Sequence, residues 1–156
     1  MKINWKKLLI CLAIPLATGG LAALLSGSGM KSYSQLNQPP FSPPGWLFPI
    51  VWSILYLLMG YASYRVLTSG EDSKFIRKAL SLYGAQLAFN FLWPLVFFGL
   101  QWYLAAFFVL LGLWVLIFLT IRSFSLLDEK AADLLLPYIL WVTFAGYLNV
   151  GVYLLN

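Results

Sequence analysis

The sequence contains no histidine and a single cysteine, and only 10% of its 156 residues are charged. Without histidine the chain lacks the commonest general base, metal ligand and haem ligand of proteins. The isolated Cys11 excludes an intrachain disulfide, and its apolar neighbours favour a small buried side chain over a reactive thiol. We therefore expect no metal site, and no acid–base catalytic residue can be assigned. The net charge of +5 is spread over predicted helix ends rather than over one basic face, so nucleic-acid binding is not expected.

Charged side chains are missing from long continuous segments. Residues 79–121 form an uncharged run of 43 residues, and further uncharged segments span residues 8–30, 32–64 and 134–156. A bilayer-spanning helix needs about 20 apolar residues, so the longest run holds two spans joined by a short turn. The mean hydropathy is +0.84, far from that of a soluble domain. The sequence therefore predicts an all-α membrane protein, a bundle of five transmembrane helices.

Five such helices use nearly the whole chain, so we expect a single transmembrane domain over residues 1–156. The longest connection, at about residues 27–42, contains two prolines and two aromatic side chains. Its length and composition favour an ordered lid, with a plain linker as the alternative. The helices are expected at about residues 5–26, 42–67, 74–98, 102–124 and 129–155.

Local signals mark several helix ends. Ser42 and Pro43 suit the N-cap and the first position of the second helix. Pro94 is expected to kink the third helix, because proline removes a backbone hydrogen bond. Asp128 suits the N-cap of the fifth helix, which contains Pro137.

The distribution of Lys and Arg predicts the orientation in the membrane. Nine of the ten basic residues fall on the side of the N-terminus, and the other side carries only Lys31. Since positive residues are retained in the cytoplasm, the N-terminus is expected to be cytoplasmic. The Lys31 loop and the C-terminus are then outside.

Polar and tryptophan side chains lie within the predicted spans. The polar ones are Gln86, Asn90, Thr143 and Asn149, which must find hydrogen-bond partners in lipid. For Asn149 we favour interhelical hydrogen bonding. Trp52, Trp93 and Trp141 lie in three different helices, and a cleft between them would suit a large, flat, apolar ligand. Ordinary packing is the alternative interpretation of this pattern.

The segment Gly84-x-x-x-Ala88 in the third helix has two small residues four positions apart. This spacing lets two helices approach closely. It indicates either internal packing or the seam of a homodimer.

Short motifs follow one another in a fixed order along the predicted helices. They are Pro15 with Gly19-Gly20, then Pro43-Pro44-Gly45, Trp52 and Met59-Gly60-Tyr61, then Gln86-Leu87-Ala88, Asn90 and Trp93-Pro94, and last Leu136-Pro137-Tyr138, Trp141 and Leu148-Asn149. In this order the chain resembles the translocator protein family, also called tryptophan-rich sensory proteins or peripheral-type benzodiazepine receptors. The resemblance covers nearly the whole chain.

The resemblance implies a five-helix bundle, often a homodimer, with a pocket that opens toward the first loop. Family members bind porphyrins such as protoporphyrin IX and haem, as well as isoquinoline and benzodiazepine drugs, and mitochondrial members bind cholesterol. A porphyrin is thus implied as a ligand, and no other cofactor is expected. The family's pocket positions fall here on Tyr33, Trp52, Tyr56, Asn90, Trp93, Trp141, Ala145 and Leu148.

The resemblance leaves three functions open. The first is a porphyrin-binding membrane receptor or carrier in tetrapyrrole transport, sensing or stress response. The second is a slow light-dependent porphyrin-degrading enzyme, with Trp52 and Trp141 as redox partners. The third is a passive ligand-binding membrane protein without turnover.

The chain departs from animal members of the family at the end of the fifth helix. Tyr153 is followed only by Leu154-Leu155-Asn156, without the basic residue of the cholesterol-recognition pattern. The departure argues against sterol binding, although the pattern is weak even when intact. The basic N-terminal flank and the lack of a transit-like stretch fit a bacterial plasma membrane.

Overall fold

The computed structural model describes residues 2–27 and 29–156. These residues form α1 (Trp5–Leu25), α2 (Gly29–Ser34), α3 (Leu47–Leu67), α4 (Ser73–Pro94), a π-helical turn (Leu95–Gly99), α5 (Tyr103–Ser125), α6 (Glu129–Leu134) and α7 (Leu136–Leu155). Five segments are long and apolar enough to cross a membrane: Trp5–Leu25, Leu47–Leu67, Ser73–Gly99, Tyr103–Ser125 and Glu129–Leu155. The all-α fold predicted from the uncharged runs is therefore confirmed, and the chain is a multi-pass membrane protein.

Acidic and amide side chains cap three of the helices. Asn4 accepts a hydrogen bond from the backbone N–H of Lys7 at the start of α1, and Asp72 caps α4 in the same way. Asp128 accepts from two backbone N–H groups of α6, at 3.0 and 3.3 Å. The predicted cap of the last span is thus confirmed. Asp128 also lies 3.1 Å from the guanidinium of Arg65, which ties the end of α3 to the start of α6.

The second span begins at Leu47 and not at Ser42 as predicted. The Ser42 hydroxyl donates to the carbonyl of Pro39, at 2.6 Å, and so does not cap a helix. The consecutive prolines supply the reason. Pro44 disfavours a helical backbone at Pro43, which excludes a helix start there. A turn from Pro44 to Leu47, closed by a 3.0 Å hydrogen bond, precedes the helix instead.

Two prolines interrupt the third and fifth spans. After Pro94 the chain continues as the π-helical turn, which is closed by a 2.9 Å hydrogen bond from the N–H of Leu100 to the carbonyl of Leu95. In the last span, predicted as one helix with Pro137 inside, the chain breaks at Leu135. Pro137 lies instead in the first turn of α7, the position where proline is best tolerated.

Helix α5 presents one narrow face to the protein and the rest to lipid. Its buried residues recur every three or four positions, which is one stripe of a helix: Ala106, Leu110, Leu113, Ile117, Thr120 and Phe124. Helix α1 is still less buried and packs mainly on α3. Gly60 makes this contact close, because a β-carbon there would lie 2.6 Å from the Cys11 carbonyl oxygen.

Residues 29–42, which make up most of the predicted loop, contact the rest of the protein in two places. The first contact is made by α2, whose Tyr33 is only 2% exposed and packs among the rings of Phe48, Phe97 and Phe98. We refer to residues 29–42 as the lid.

The second part of the lid is attached to α7. Asn37 and Asn156 are joined by reciprocal hydrogen bonds, and Tyr147 donates to the carbonyl of Pro40 at 2.6 Å. Pro39 packs so closely on Gly151 that a β-carbon on Gly151 would collide with the proline ring.

Candidate functional site

A partly open cavity of about 300 Å³ lies between α1, α3 and the end of α4. Aromatic side chains form one side of it, and small residues of α1 form the other. Among the described residues, no charged side chain lines it. The lining residues are Leu16, Gly19, Gly20, Ala22, Ala23, Ser26, Gly27, Phe48, Pro49, Trp52, Ser53, Tyr56, Asn90, Trp93, Pro94 and Phe98.

The aromatic side of the cavity is rigidly packed. Trp52 stacks on Tyr56 with ring centroids 5.6 Å apart and an interplanar angle of 27°. Trp93 stacks on Phe97 at 5.1 Å and meets Phe98 edge to face. Trp52 also meets Tyr138 edge to face at 6.3 Å, and Phe97 and Phe98 both contact Tyr33, so these rings are supported by the core.

A chain of hydrogen bonds supports Tyr56 and Asn90. The Tyr56 hydroxyl donates to Asn90 Oδ1 at 3.0 Å, and Asn90 Nδ2 donates to the Tyr138 hydroxyl at 2.7 Å. Tyr138 in turn donates to Gln86 Oε1 at 2.6 Å, and Gln86 Nε2 contacts the Met59 sulfur at 3.9 Å. We call these five residues the polar relay. Because all five are buried within membrane spans, their polar groups satisfy one another rather than water.

Trp93 is fixed by a second polar contact. Its indole N–H donates to Asn149 Oδ1 at 2.9 Å, and Asn149 Nδ2 donates to the backbone carbonyl of Tyr103 at 2.7 Å. Asn149 therefore links three spans. The interhelical hydrogen bonding predicted for it is confirmed.

The structure places four of the eight predicted site residues together. Trp52, Tyr56, Asn90 and Trp93 all line the cavity. The other four do not contribute to its wall: Tyr33, Trp141, Ala145 and Leu148.

Phe48 lies between the cavity and Trp141. It lines the cavity on one side and meets the Trp141 ring edge to face on the other, at 5.8 Å. Ala145 and Leu148 are buried within the core. The indole N–H of Trp141 is buried without a hydrogen-bond partner among the described residues. A buried donor left unpaired is costly, so this group is open to an acceptor that the protein itself does not supply.

Sequence reasoning missed the contribution of α1 and several aromatic residues. Small and apolar residues recur along α1 at Leu16, Gly19, Ala23 and Ser26, a helical stripe that could have indicated a cavity wall. Phe48 precedes Trp52 by one helical turn and shares its face. Phe98 carries no such signal, because its position depends on the π-helical turn.

The lid side of the site carries little charge. Lys31 lies on α2 and is exposed. Burial raises the pKa of the neighbouring Tyr33 phenol above its ordinary value, so this hydroxyl remains protonated at neutral pH.

Gly84 and Ala88 lie on an exposed face of α4. No heavy atom of another described element lies within 4 Å of the position that a β-carbon on Gly84 would take. Internal packing at Gly84, one of the two alternatives for this motif, is therefore excluded among the described residues.

Comparison with known proteins shows similarity along nearly the whole chain. A profile of the TspO/MBR family matches residues 11–155. The chain is 37% identical over 150 residues to the Tryptophan-rich protein TspO of Chlorobaculum tepidum, covering 96% of this chain and 95% of that one. It is 38% identical over 156 residues to the Tryptophan-rich sensory protein of Cereibacter sphaeroides, covering 100% and 95%. It is also 38% identical over 127 residues to the Translocator protein of Bos taurus, covering 79% and 73%.

Proposed function

Because this chain belongs to the TspO/MBR family, we propose that it is a membrane receptor or carrier that binds a porphyrin, protoporphyrin IX or haem, in its aromatic cavity. The main support for this proposal is the cavity, which is lined by Trp52, Tyr56 and Trp93 within the membrane spans. Stacked aromatic walls favour a flat apolar ligand. The names of two relatives, sensory protein and translocator protein, support a role in sensing or transport.

The size of the cavity bears on how a porphyrin would fit. A volume of about 300 Å³ is at the lower end for pockets that enclose drug-sized ligands. A turn of the Phe48 side chain would join the cavity to Trp141. The enlarged pocket would then bring the two groups of predicted site residues around one ligand.

The carboxylates of the porphyrin would remain at the mouth of the cavity, beside Tyr33 of the lid. Lys31 is the basic residue nearest to Tyr33 in sequence, but its exposure means that salt screens it. Isoquinoline- and benzodiazepine-type compounds would occupy the same cavity through their apolar rings. The sequence argues against a sterol, as its C-terminal helix lacks the basic residue noted above.

Quenching of tryptophan fluorescence tests the proposal directly. We expect saturable quenching by protoporphyrin IX and by haem, with affinities within about tenfold of each other, or roughly 1.4 kcal/mol. The chain has no histidine to coordinate iron, so the metal should contribute little. Cholesterol measured side by side should give no saturable signal. The absence of saturable quenching by both porphyrins would refute the proposal.

Light-dependent porphyrin breakdown is a second candidate function. Its support is the position of Trp52, an oxidisable side chain that lines the cavity and stacks on Tyr56. Absorption spectra of the protein–porphyrin complex in the dark and under illumination would separate the two functions. Loss of the porphyrin bands only in the light, and more slowly in Trp52→Phe, would support the enzyme.

Transport and passive binding are separated by a different measurement. We propose a homodimer in a bacterial plasma membrane, with a cytoplasmic N-terminus. Porphyrin flux into sealed vesicles that contain the protein would support a carrier. Saturable binding without flux would leave a receptor, or a passive binder if no response follows.

A further inference from the structure

We propose that the cavity offers more hydrogen-bond acceptors than donors and therefore favours neutral ring compounds that present an N–H or O–H group. The inference concerns the ligand class of the proposed site and rests on the proposed function only in placing a ligand in that cavity. It follows from the direction of each hydrogen bond made by the polar side chains of the wall.

The two serines of the wall both donate away from the cavity. Ser26 donates to the carbonyl of Ala22, and Ser53 donates to the carbonyl of Pro49, each at 2.7 Å. A hydroxyl carries one hydrogen and two lone pairs. With the hydrogen committed to the helix backbone, each serine oxygen is left only as an acceptor.

Tyr56 and Trp93 have also committed their hydrogens. Tyr56 donates to Asn90 Oδ1, so its oxygen is left to accept. Trp93 donates to Asn149, which removes one of the two indole N–H groups of the wall. The donors that remain are the indole N–H of Trp52 and the second N–H of Asn90. Acceptors thus outnumber donors around the cavity.

The far end of the polar relay favours this direction, through the 3.9 Å contact of Gln86 Nε2 with the Met59 sulfur. If both amides of the relay were reversed, Gln86 would donate to Tyr138, Tyr138 to Asn90, and Asn90 to Tyr56, whose hydrogen would then be free for a ligand. Met59 opposes that reversal. Its thioether accepts but cannot donate, and it is fully buried, so it faces the NH₂ of Gln86 rather than the oxygen.

The reversed arrangement would place the Gln86 oxygen against the Met59 sulfur, where that buried acceptor would have no donor. Tyr138 and Gln86 do not line the cavity, yet they set what Tyr56 offers to a ligand. They act as positioning residues for ligand specificity. A carboxylate in the cavity would meet mostly acceptor oxygens and no charged partner, so anionic groups are excluded from it.

Carbazole and dibenzofuran provide a matched pair of probes. Both are flat, neutral and tricyclic, but carbazole has an N–H where dibenzofuran has an oxygen. Saturable binding to the purified full chain is measured by equilibrium dialysis and corrected for partition into protein-free micelles. We expect carbazole to bind about three- to tenfold more tightly, the effect of one hydrogen bond.

Variants of the relay test its role. Tyr138→Phe removes the hydroxyl that orients Asn90, so Tyr56 regains a free hydrogen and the preference for carbazole should fall below about twofold. Met59→Leu keeps the volume and removes the sulfur acceptor, and it should lower the preference in the same direction. Tyr83→Phe is the matched control, since Tyr83 is a buried tyrosine outside the relay, and its preference should equal that of the parent.

The outcomes separate the two proposals. Equal binding of the two probes, tighter binding of dibenzofuran, or no binding of either overturns the inference. So does an unchanged preference in both Tyr138→Phe and Met59→Leu. If porphyrin quenching is saturable while the probe preference is absent, only the inference is lost. If the preference holds while porphyrins do not bind, the proposed function is lost and the acceptor character of the cavity remains.

Discussion

The ring of Tyr56 occupies the space that a β-carbon on Gly19 would need. This contact brings α1 against α3 where both helices line the cavity. The next residue, Gly20, also lines the cavity, but no described residue outside its own helical segment comes within 4 Å of the position that a β-carbon on Gly20 would take. Two adjacent glycines therefore have different reasons to be small.

Substitution of these glycines should separate their roles. Gly19→Ala forces the Tyr56 ring to move and weakens its bond to Asn90, so we expect a loss of about 1–3 kcal/mol of stability. Gly20→Ala should be neutral or stabilise the helix by up to about 1 kcal/mol. Denaturant unfolding in detergent, followed by porphyrin titration, measures both effects. Equal losses in the two variants would contradict the packing described for Tyr56.

The orientation of the chain can be tested by cysteine labelling. In a Cys11→Ala background, Ser34→Cys places an exposed thiol on the lid and Ser73→Cys places one at the start of α4. A membrane-impermeant maleimide applied to intact cells should label Ser34→Cys only, because the basic residues near Ser73 are retained inside. Labelling after lysis controls for reactivity. Labelling of Ser73→Cys alone in intact cells would reverse the topology.

The open face at Gly84 predicts the seam of a homodimer. Gly84→Leu adds bulk where two α4 helices would meet, so the protein should elute as a monomer that still binds porphyrin. Ala105→Leu, an exposed position on α5, is the control and should stay dimeric. Size-exclusion chromatography with light scattering gives the mass. A Gly84→Leu protein that remains dimeric would place the seam on another helix.

Substitutions at Trp141 and Ala145 would test whether the ligand pocket extends beyond Phe48. Trp141→Ala should cost about 1–3 kcal/mol of porphyrin binding, by analogy with the stacking of bases on aromatic side chains. Ala145→Phe should obstruct the same face by bulk alone. Trp114→Ala is the matched control, because Trp114 lies in an outer groove between α5 and α7. If Trp141→Ala and Ala145→Phe both bind porphyrin as the parent does, these residues serve packing only.

Much of the fold follows from the sequence because lipid imposes a simple rule. Charged side chains and unpaired backbone groups are excluded from the bilayer core, so uncharged runs such as residues 79–121 mark helices directly. The start of the second helix could not be predicted from hydropathy. It depends on the hydrogen bond from Ser42 to Pro39 and on the restricted backbone of Pro43 and Pro44. Such local competition is not visible in hydropathy.

The site was predictable to a smaller extent. The tryptophan pattern indicated Trp52 and Trp93, and the resemblance to a known family added Tyr56 and Asn90 as pocket residues. The separation of Trp141 from the cavity depends on how the Phe48 ring is turned. The partners of Asn90 depend on how α4 and α7 face each other across the core. A pattern within one helix contains neither kind of information.

The attachment of the lid to α7 bears on how fast a bound ligand would leave. Residues 37–40 make two hydrogen bonds to α7 and two to Asn156, which follows it, and none of residues 37–40 lines the cavity. Because a ligand in the cavity would not contact residues 37–40, these bonds should add little to its affinity. They must break if this half of the lid moves away from α7, so they would slow its opening. The lid would thereby set how long a ligand stays, and the residence time could be altered at Asn156 without changing any group that the ligand touches.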